Sequence, residues 1–264
     1  IPTSNLIFLG INSDSYALSF PPVRQALSFA VNRDEIAQSV YSGHAVAADL
    51  PIRPDTRAYS QNAASDQQTA VDYAAAQHLL ESEGYTTVDP QTGTRSGDKG
   101  SLRMSLLVNN ESEYRLEVAN CVQDSLARVG VSITIHSLPY DQYVQTLTEG
   151  GYDLYIGEIK LPNNGSLSAF FGGSVSYGIS DQSKSYLAWQ EVLSGTVALP
   201  AFFTTFTQDL PFLPLAFRND VLVSSDDIEV PDEAILFGSA LSQLDRWRVQ
   251  EEETTEEGTT ASLW

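Results

Sequence analysis

An α/β lobe, with a parallel-core sheet flanked by helices, is the fold this sequence predicts. Three observations predict it. Strand-like and helix-like periodicities alternate from Leu102 to Ile156 with short connections, the pattern of parallel strands joined by right-handed crossovers. The stretch Phe20 to Pro51 reads as two consecutive helices with clear start and stop residues. Leu6 to Asn12 is an apolar run of strand length.

Taken in order, Leu6-Ile7-Phe8-Leu9-Gly10-Ile11-Asn12 opens the chain as a buried strand. Pro21 and Pro22 begin the first helix, where a missing N–H has no partner to lose. Val23, Ala26, Leu27 and Ala30 form its apolar stripe. Asn32 is placed to cap the second helix, Glu35 to close a capping box, and Gly43 to end the helix in a left-handed conformation. Asp49 to Pro54 is a proline-stiffened loop, and the Gln/Ala/Ser stretch 60–68 a surface segment. Residues 69–83 form a helix with Ala70, Tyr73, Ala74, Gln77 and Leu80 on one face, ended by Gly84.

Asp89 to Gly100 is turn chemistry; it lacks the alternating carboxylates and closing Glu of a calcium loop. Strands follow at 102–108, 131–137 and 152–156, separated by a helix at 113–129, carrying Val118, Val122, Leu126 and Val129, and a short helix at 140–149. The three strands are expected to be parallel in one sheet. Further helices are expected at 183–194, with Leu187 and Trp189 apolar, and at 198–209 despite Pro200. Phe212 to Val223 contains strand-like runs interrupted by Pro214.

The 264-residue chain carries a net charge of −20, which disfavours nucleic acid as a partner. Part of that charge sits in a Glu/Thr/Gly tail over 249–264, expected to be disordered. No run is long enough to cross a membrane, and Ile1 to Ser4 carry no basic leader region. Cys121, the lone cysteine, permits no internal disulfide and reads as a small core residue. The sequence has no G-x-S-x-G elbow, phosphate-binding loop, dinucleotide fingerprint or H-E-x-x-H motif. Its histidines, His44, His78 and His136, lie on separate predicted elements. No enzymatic activity, metal or cofactor is therefore expected.

In parallel sheets, ligands sit beyond the carboxyl ends of the strands. That rule singles out two predicted loops, Asn109-Asn110-Glu111 and Gly157-Glu158-Ile159-Lys160. Glu158 and Lys160 are the candidate charged ligand contacts, with Gly157, Asn109 and Asn110 beside them. As an exposed loop charge, Glu158 is expected to contribute little to stability. Tyr155, Phe170, Phe171, Tyr177 and Tyr186 either line the same cleft or fill the core.

Val23-Arg24-Gln25-Ala26-Leu27, Ala30-Val31-Asn32-Arg33, Ile36 and Gly43 match, in order and spacing, a segment of the peptide/nickel-type extracytoplasmic solute-binding proteins of ABC importers. Leu79 to Tyr85 and Pro211-Phe212-Leu213-Pro214-Leu215 resemble other segments of that family. The resemblance covers most of residues 5–225. It implies a lobe of the type II periplasmic-binding kind, cut from a two-lobe receptor. Residues 1–20 would end a first-lobe strand segment, 21–210 form the C-terminal ligand-binding lobe, and 211–248 return toward the first lobe.

The implied function is capture of an oligopeptide or similar small polar solute outside the cytoplasmic membrane, and its delivery to the transmembrane subunits of a permease. The receptor would be a monomer, periplasmic in Gram-negative bacteria and held to the membrane by a lipid anchor in Gram-positive ones. A ligand-sensing domain of a transcription regulator with the same fold is the alternative. Family peptide receptors carry a G-W-x-x-D motif after the third strand, whose Asp pairs with the peptide's amino group. Here Gly157 matches, Glu158 stands in place of the Trp and Leu161 in place of the Asp. The resemblance therefore transfers no amine anchor and leaves Glu158 or Lys160 to supply the charge.

Overall fold

The computed structural model describes residues 1–62, 70–162, 164–171, 179–225, 228–230 and 244–249. Tyr177, most of the 60–68 segment and the acidic tail from 250 onward lie outside them. The chain divides into two compact units. The larger runs from Ser4 to Asn219; the smaller combines Ile1–Thr3 with residues from Asp220 onward.

Strand β1 (Pro2–Ile11) leads to α1 (Pro21–Ala30), with the two prolines in the first turn and Val23, Ala26, Leu27 and Ala30 buried. Asn32 caps α2 (Arg33–Glu35) through Oδ1, which accepts from the Glu35 N–H at 3.1 Å. The expected box forms differently. The Glu35 carboxylate accepts from the Asn32 side-chain amide at 3.0 Å, while the Asn32 backbone N–H donates to Ser125 Oγ at 3.3 Å. A π-helical turn, Ile36–Val40, continues α2. Ser42 and Gly43 then adopt left-handed φ of 51° and 77°.

Next come β2 (Ala45–Ala47), α3 (Arg57–Asn62) and α4 (Tyr73–Ser82). Helix α4 starts later than the periodicity predicts, because Asp72 caps it by accepting from the Ala75 N–H at 2.8 Å. Its buried face is Ala76 and Leu80, and Ala74 is exposed. The turn-rich stretch folds into a small antiparallel sheet of β3 (Thr87–Val88), β4 (Arg95–Gly97) and β5 (Gly100–Ser101).

The core alternation follows as β6 (Arg103–Asn109), α5 (Glu113–Ala127), β7 (Ser132–Leu138), α6 (Tyr140–Glu149) and β8 (Leu154–Lys160). Cys121 on α5 is half-buried and packs against the core. Helices α7 (Ser168–Phe171), α8 (Lys184–Leu193) and α9 (Leu199–Asp209) precede β9 (Phe212–Asn219). Pro200 sits in the first turn of α9, where it is tolerated.

In the six-stranded sheet the order is β2-β9-β1-β8-β6-β7. Strand β6 runs parallel to β7, from Arg103↔Ser132 to Asn109↔Leu138, and parallel to β8 at Leu106↔Leu154. The expected parallel core is present. The sheet as a whole is mixed, because β1 is antiparallel to β8 and β2 to β9. The steps from β6 to β7 and from β7 to β8 run in opposite directions across the sheet, so right-handed crossovers put α5 and α6 on opposite faces.

Strand β8 departs most from expectation. It starts at Leu154 and continues to Lys160, through residues predicted as loop. Polar residues 158 and 160 carry no strong strand signal. β1 nevertheless supplies a full partner, from Asn5↔Lys160 to Ile11↔Leu154, and the ladder extends the strand.

Pro214 lies within β9 rather than breaking it, and its carbonyl accepts from Arg33 Nε at 2.9 Å. Arg33 is fully buried and also donates to the Ser28 carbonyl and hydroxyl at 2.7 and 2.8 Å. Burial pulls its pKa down to about 10, against the opposing pull of Asp49 and Asp34.

In the smaller unit, the Ile1 ammonium donates to the Asp220 carbonyl at 2.6 Å, and the Asp220 N–H donates to the Ile1 carbonyl at 2.9 Å. There β10 (Ile228–Glu229) pairs antiparallel with β11 (Arg248–Val249).

Candidate functional site

Because β6, β7 and β8 are parallel, Asn109, Leu138 and Lys160 end at one edge of the sheet. This is the edge at which α/β sheets hold ligands. The five sequence-predicted residues distribute unevenly there. Asn110 is exposed in the turn after β6, and Lys160 is exposed at the end of β8. Asn109 is only 3% exposed, and its Oδ1 accepts from the Glu111 N–H at 2.8 Å, so it shapes the turn rather than facing solvent.

Gly157 lies on the opposite face of β8 from Glu158, since successive strand residues alternate. It sits under the ring of Phe8, its cross-strand partner; a Cβ there would come 2.4 Å from Phe8 Cζ. One step along, Gly10 lies under the ring of Tyr155 in the same way. Tyr155, Phe170 and Phe171 are core residues, and Phe170 stacks on Phe212 with centroids 4.2 Å apart. Leu161, at the family's amine-anchor position, is buried, with its N–H donating to the Ser4 carbonyl at 2.9 Å.

Glu158 is neither in a loop nor isolated. One carboxylate oxygen accepts from Arg115 Nη2 at 3.2 Å and the other from Arg218 Nε at 3.1 Å. Arg115 is in the first turn of α5, and Arg218 is near the end of β9. Close by, Tyr41 follows the π-helical turn and stacks on Tyr114, with centroids 5.6 Å apart and planes 15° from parallel. Burial, and then the Glu158 carboxylate, push the Tyr41 phenol above its ordinary pKa.

The Glu158 carboxylate thus bridges two guanidiniums, one from α5 and one from β9. Arg115 Nε is buried and has no hydrogen-bond partner. The sequence offered Arg115 as a visible signal, since it follows a strand's carboxyl end by a few residues. Nothing local connects Arg218 to Glu158, sixty residues earlier.

These contacts correct the expectation that Glu158 is a loop charge without structural weight. Glu158→Gln is expected to lower the unfolding free energy by about 0.5–1.5 kcal/mol, since both ion pairs remain partly open to solvent. Urea denaturation of the two proteins checks this, and coincident curves would return Glu158 to the status of a surface charge.

A family model for bacterial extracellular solute-binding proteins, family 5 (Middle), matches residues 1–177. The dipeptide-binding protein of Escherichia coli (strain K12) is 26% identical over 190 residues, 72% of this chain and 33% of that one. Among solved structures, the oligopeptide-binding protein AppA from Bacillus subtilis, in complex with a nonapeptide, superposes with a TM-score of 0.71 at 15% identity. That match covers 95% of this chain and 52% of AppA. NikA from Brucella suis, in complex with Fe(III)-EDTA, gives 0.67 at 21% identity, covering 82% and 45%. At these identities the structures establish the fold. The chain spans from a third to about half the length of these relatives. Among the described residues, no helix is long and apolar enough to cross a membrane. With its family model matched over residues 1–177, this chain belongs to the bacterial extracellular solute-binding proteins of family 5, the peptide- and nickel-binding receptors of ABC transporters.

Proposed function

We propose that this chain is the ligand-binding lobe of a two-lobe substrate-binding protein. The receptor captures an oligopeptide or similar small polar solute outside the cytoplasmic membrane and delivers it to the transmembrane subunits of an ABC permease. The family match over residues 1–177 carries this reading. The charged and aromatic cluster at the carboxyl edge supports it, because it stands where an α/β sheet holds its ligands. The role is binding without bond cleavage, and lobe closure about a hinge would bury the solute.

The departures at Glu158 and Leu161 shape the chemistry. An ammonium at the position of Leu161 would find no carboxylate, and Glu158 is already engaged by two arginines. In this reading Glu158 holds the arginines in place and is not a free anchor for a cation.

One lobe supplies one wall of a cleft, whereas small-ligand sites usually enclose most of the ligand surface. Calorimetry with a peptide mixture is expected to show saturable binding to the full-length receptor and at least about tenfold weaker binding to this chain alone. Equal affinities would overturn the lobe assignment. Failure of the receptor to bind any peptide or small polar solute, together with unchanged solute uptake in a deletion strain, would overturn the transport reading.

A further inference from the structure

We propose that this part of the receptor is built to stay folded in a medium of molar ionic strength, where dissolved cations offset the repulsion among its own carboxylates. The proposal goes beyond solute capture and does not depend on it.

The charge is large and one-sided. The chain has 34 acidic against 14 basic residues, and its only lysines are Lys99, Lys160 and Lys184. The excess is not confined to the tail. Among the described residues, exposed carboxylates outnumber exposed basic side chains by more than two to one. The fold itself sorts the charges this way. Arg24, Arg33, Arg53 and Arg95 are buried, whereas Asp49 and Asp209 are the only buried carboxylates among the described residues.

The exposed acids stand on separate helices without cationic partners. Glu117 and Asp124 on α5 and Glu191 on α8 are exposed and join none of the ion pairs among the described residues. The field they make is of one sign: burial, and then Glu35, Asp124 and Glu117, push the Cys121 thiol above its ordinary pKa.

Such self-repulsion destabilises the compact state in dilute salt, because folding brings like charges closer together. At about 1 M salt the screening length falls to about 3 Å, so exposed charges largely stop repelling one another. Enclosed pairs are screened much less. Arg24 and Asp209 form such a pair, 3.0 Å apart with side chains 6% and 7% exposed. High salt thus relieves the surface and leaves the interior electrostatics in place.

Thermal unfolding of the full-length receptor at pH 7, without ligand, tests this. Between about 0.1 M and about 2 M KCl the melting temperature should rise by about 10 °C or more. A second receptor carries Glu117→Lys, Asp124→Lys and Glu191→Lys. Its gain from salt should be smaller by at least about 3 °C, and its melting temperature in dilute salt higher than the parent's. The neutral counterpart, Glu117→Gln with Asp124→Asn and Glu191→Gln, should fall between the two and serves if the lysine variant does not fold. A melting temperature that is flat or falls with KCl overturns the proposal. So does an equal gain in parent and variants, because salt would then act through burial of apolar surface and not through these charges. Either result leaves solute capture standing.

Discussion

Replacing Arg24 by methionine is expected to lower the unfolding free energy by about 3–5 kcal/mol, the usual consequence of removing one member of a buried ion pair. Arg24 lies in the Val23–Leu27 segment that carries the family resemblance, and it is only 5% exposed. Its guanidinium is divided among several acceptors. Nε donates to the Asp209 and Leu210 carbonyls at 2.8 and 3.1 Å, Nη1 to the Leu18 carbonyl at 2.7 Å, and Nη2 to Asp209 Oδ1 at 3.0 Å. The other Asp209 oxygen accepts from the Ser185 N–H at 2.9 Å.

One side chain thus closes the end of α9, the start of α1 and the start of α8 together. Burial pulls the Arg24 pKa down, and the Asp209 charge pushes it back up. Methionine fills similar volume but leaves the Asp209 carboxylate and several carbonyls without their donor. Arg24→Lys should fall between the two, because one ammonium cannot reach acceptors spread around a planar fork. Denaturant unfolding of Arg24→Met, Asp209→Leu and the double variant measures the coupling. Arg24→Met within about 1 kcal/mol of the parent would show that the pair is dispensable.

Gly157→Ala is expected to destabilise by about 1–3 kcal/mol, although it adds only one methyl group. The backbone there does not require glycine's left-handed freedom; the space does. The new Cβ would lie 2.4, 2.8 and 2.9 Å from three atoms of the Phe8 ring. Phe8 has little room to yield, since it packs edge-on against Tyr155, Phe170 and Phe212 at centroid distances of 5.7, 5.1 and 5.6 Å. Pairing Gly157→Ala with Phe8→Leu should recover part of the loss, and the difference in urea midpoints among the three variants checks it. A stable Gly157→Ala with Phe8 in place would mean that the sheet spreads at no cost. The glycine that matches the family motif is thus a packing residue, and its value to the site is indirect: it keeps β1 and β8 in register.

Much of the fold was legible in short stretches of sequence. Pro21 and Pro22, Asn32, Gly43 and Gly84 act through their own backbone preferences, so the helix ends they mark depend little on distant residues. The alternation of Val131, Ile133 and Ile135 with polar neighbours, and the helical spacing of Val118, Val122 and Leu126, identified β7 and α5 for the same reason. Three strands linked by helices then required a parallel core, because short right-handed crossovers allow little else.

What the sequence left undecided was settled by pairing across long separations. β8 runs on to Lys160 because β1 lies beside it, and that register puts Gly157 in the core and Glu158 on the other face. Pro214 lies within a strand, and its carbonyl is satisfied by Arg33, 181 residues earlier. Glu158 meets Arg115 and Arg218 only once β8, α5 and β9 have been brought together, and Tyr41 reaches Tyr114 only after the α2 segment packs on α5. Local chemistry determined where the chain is helix, strand or turn. Only the tertiary structure, by fixing strand register and so the face on which each charge appears, decided which of those charges meet.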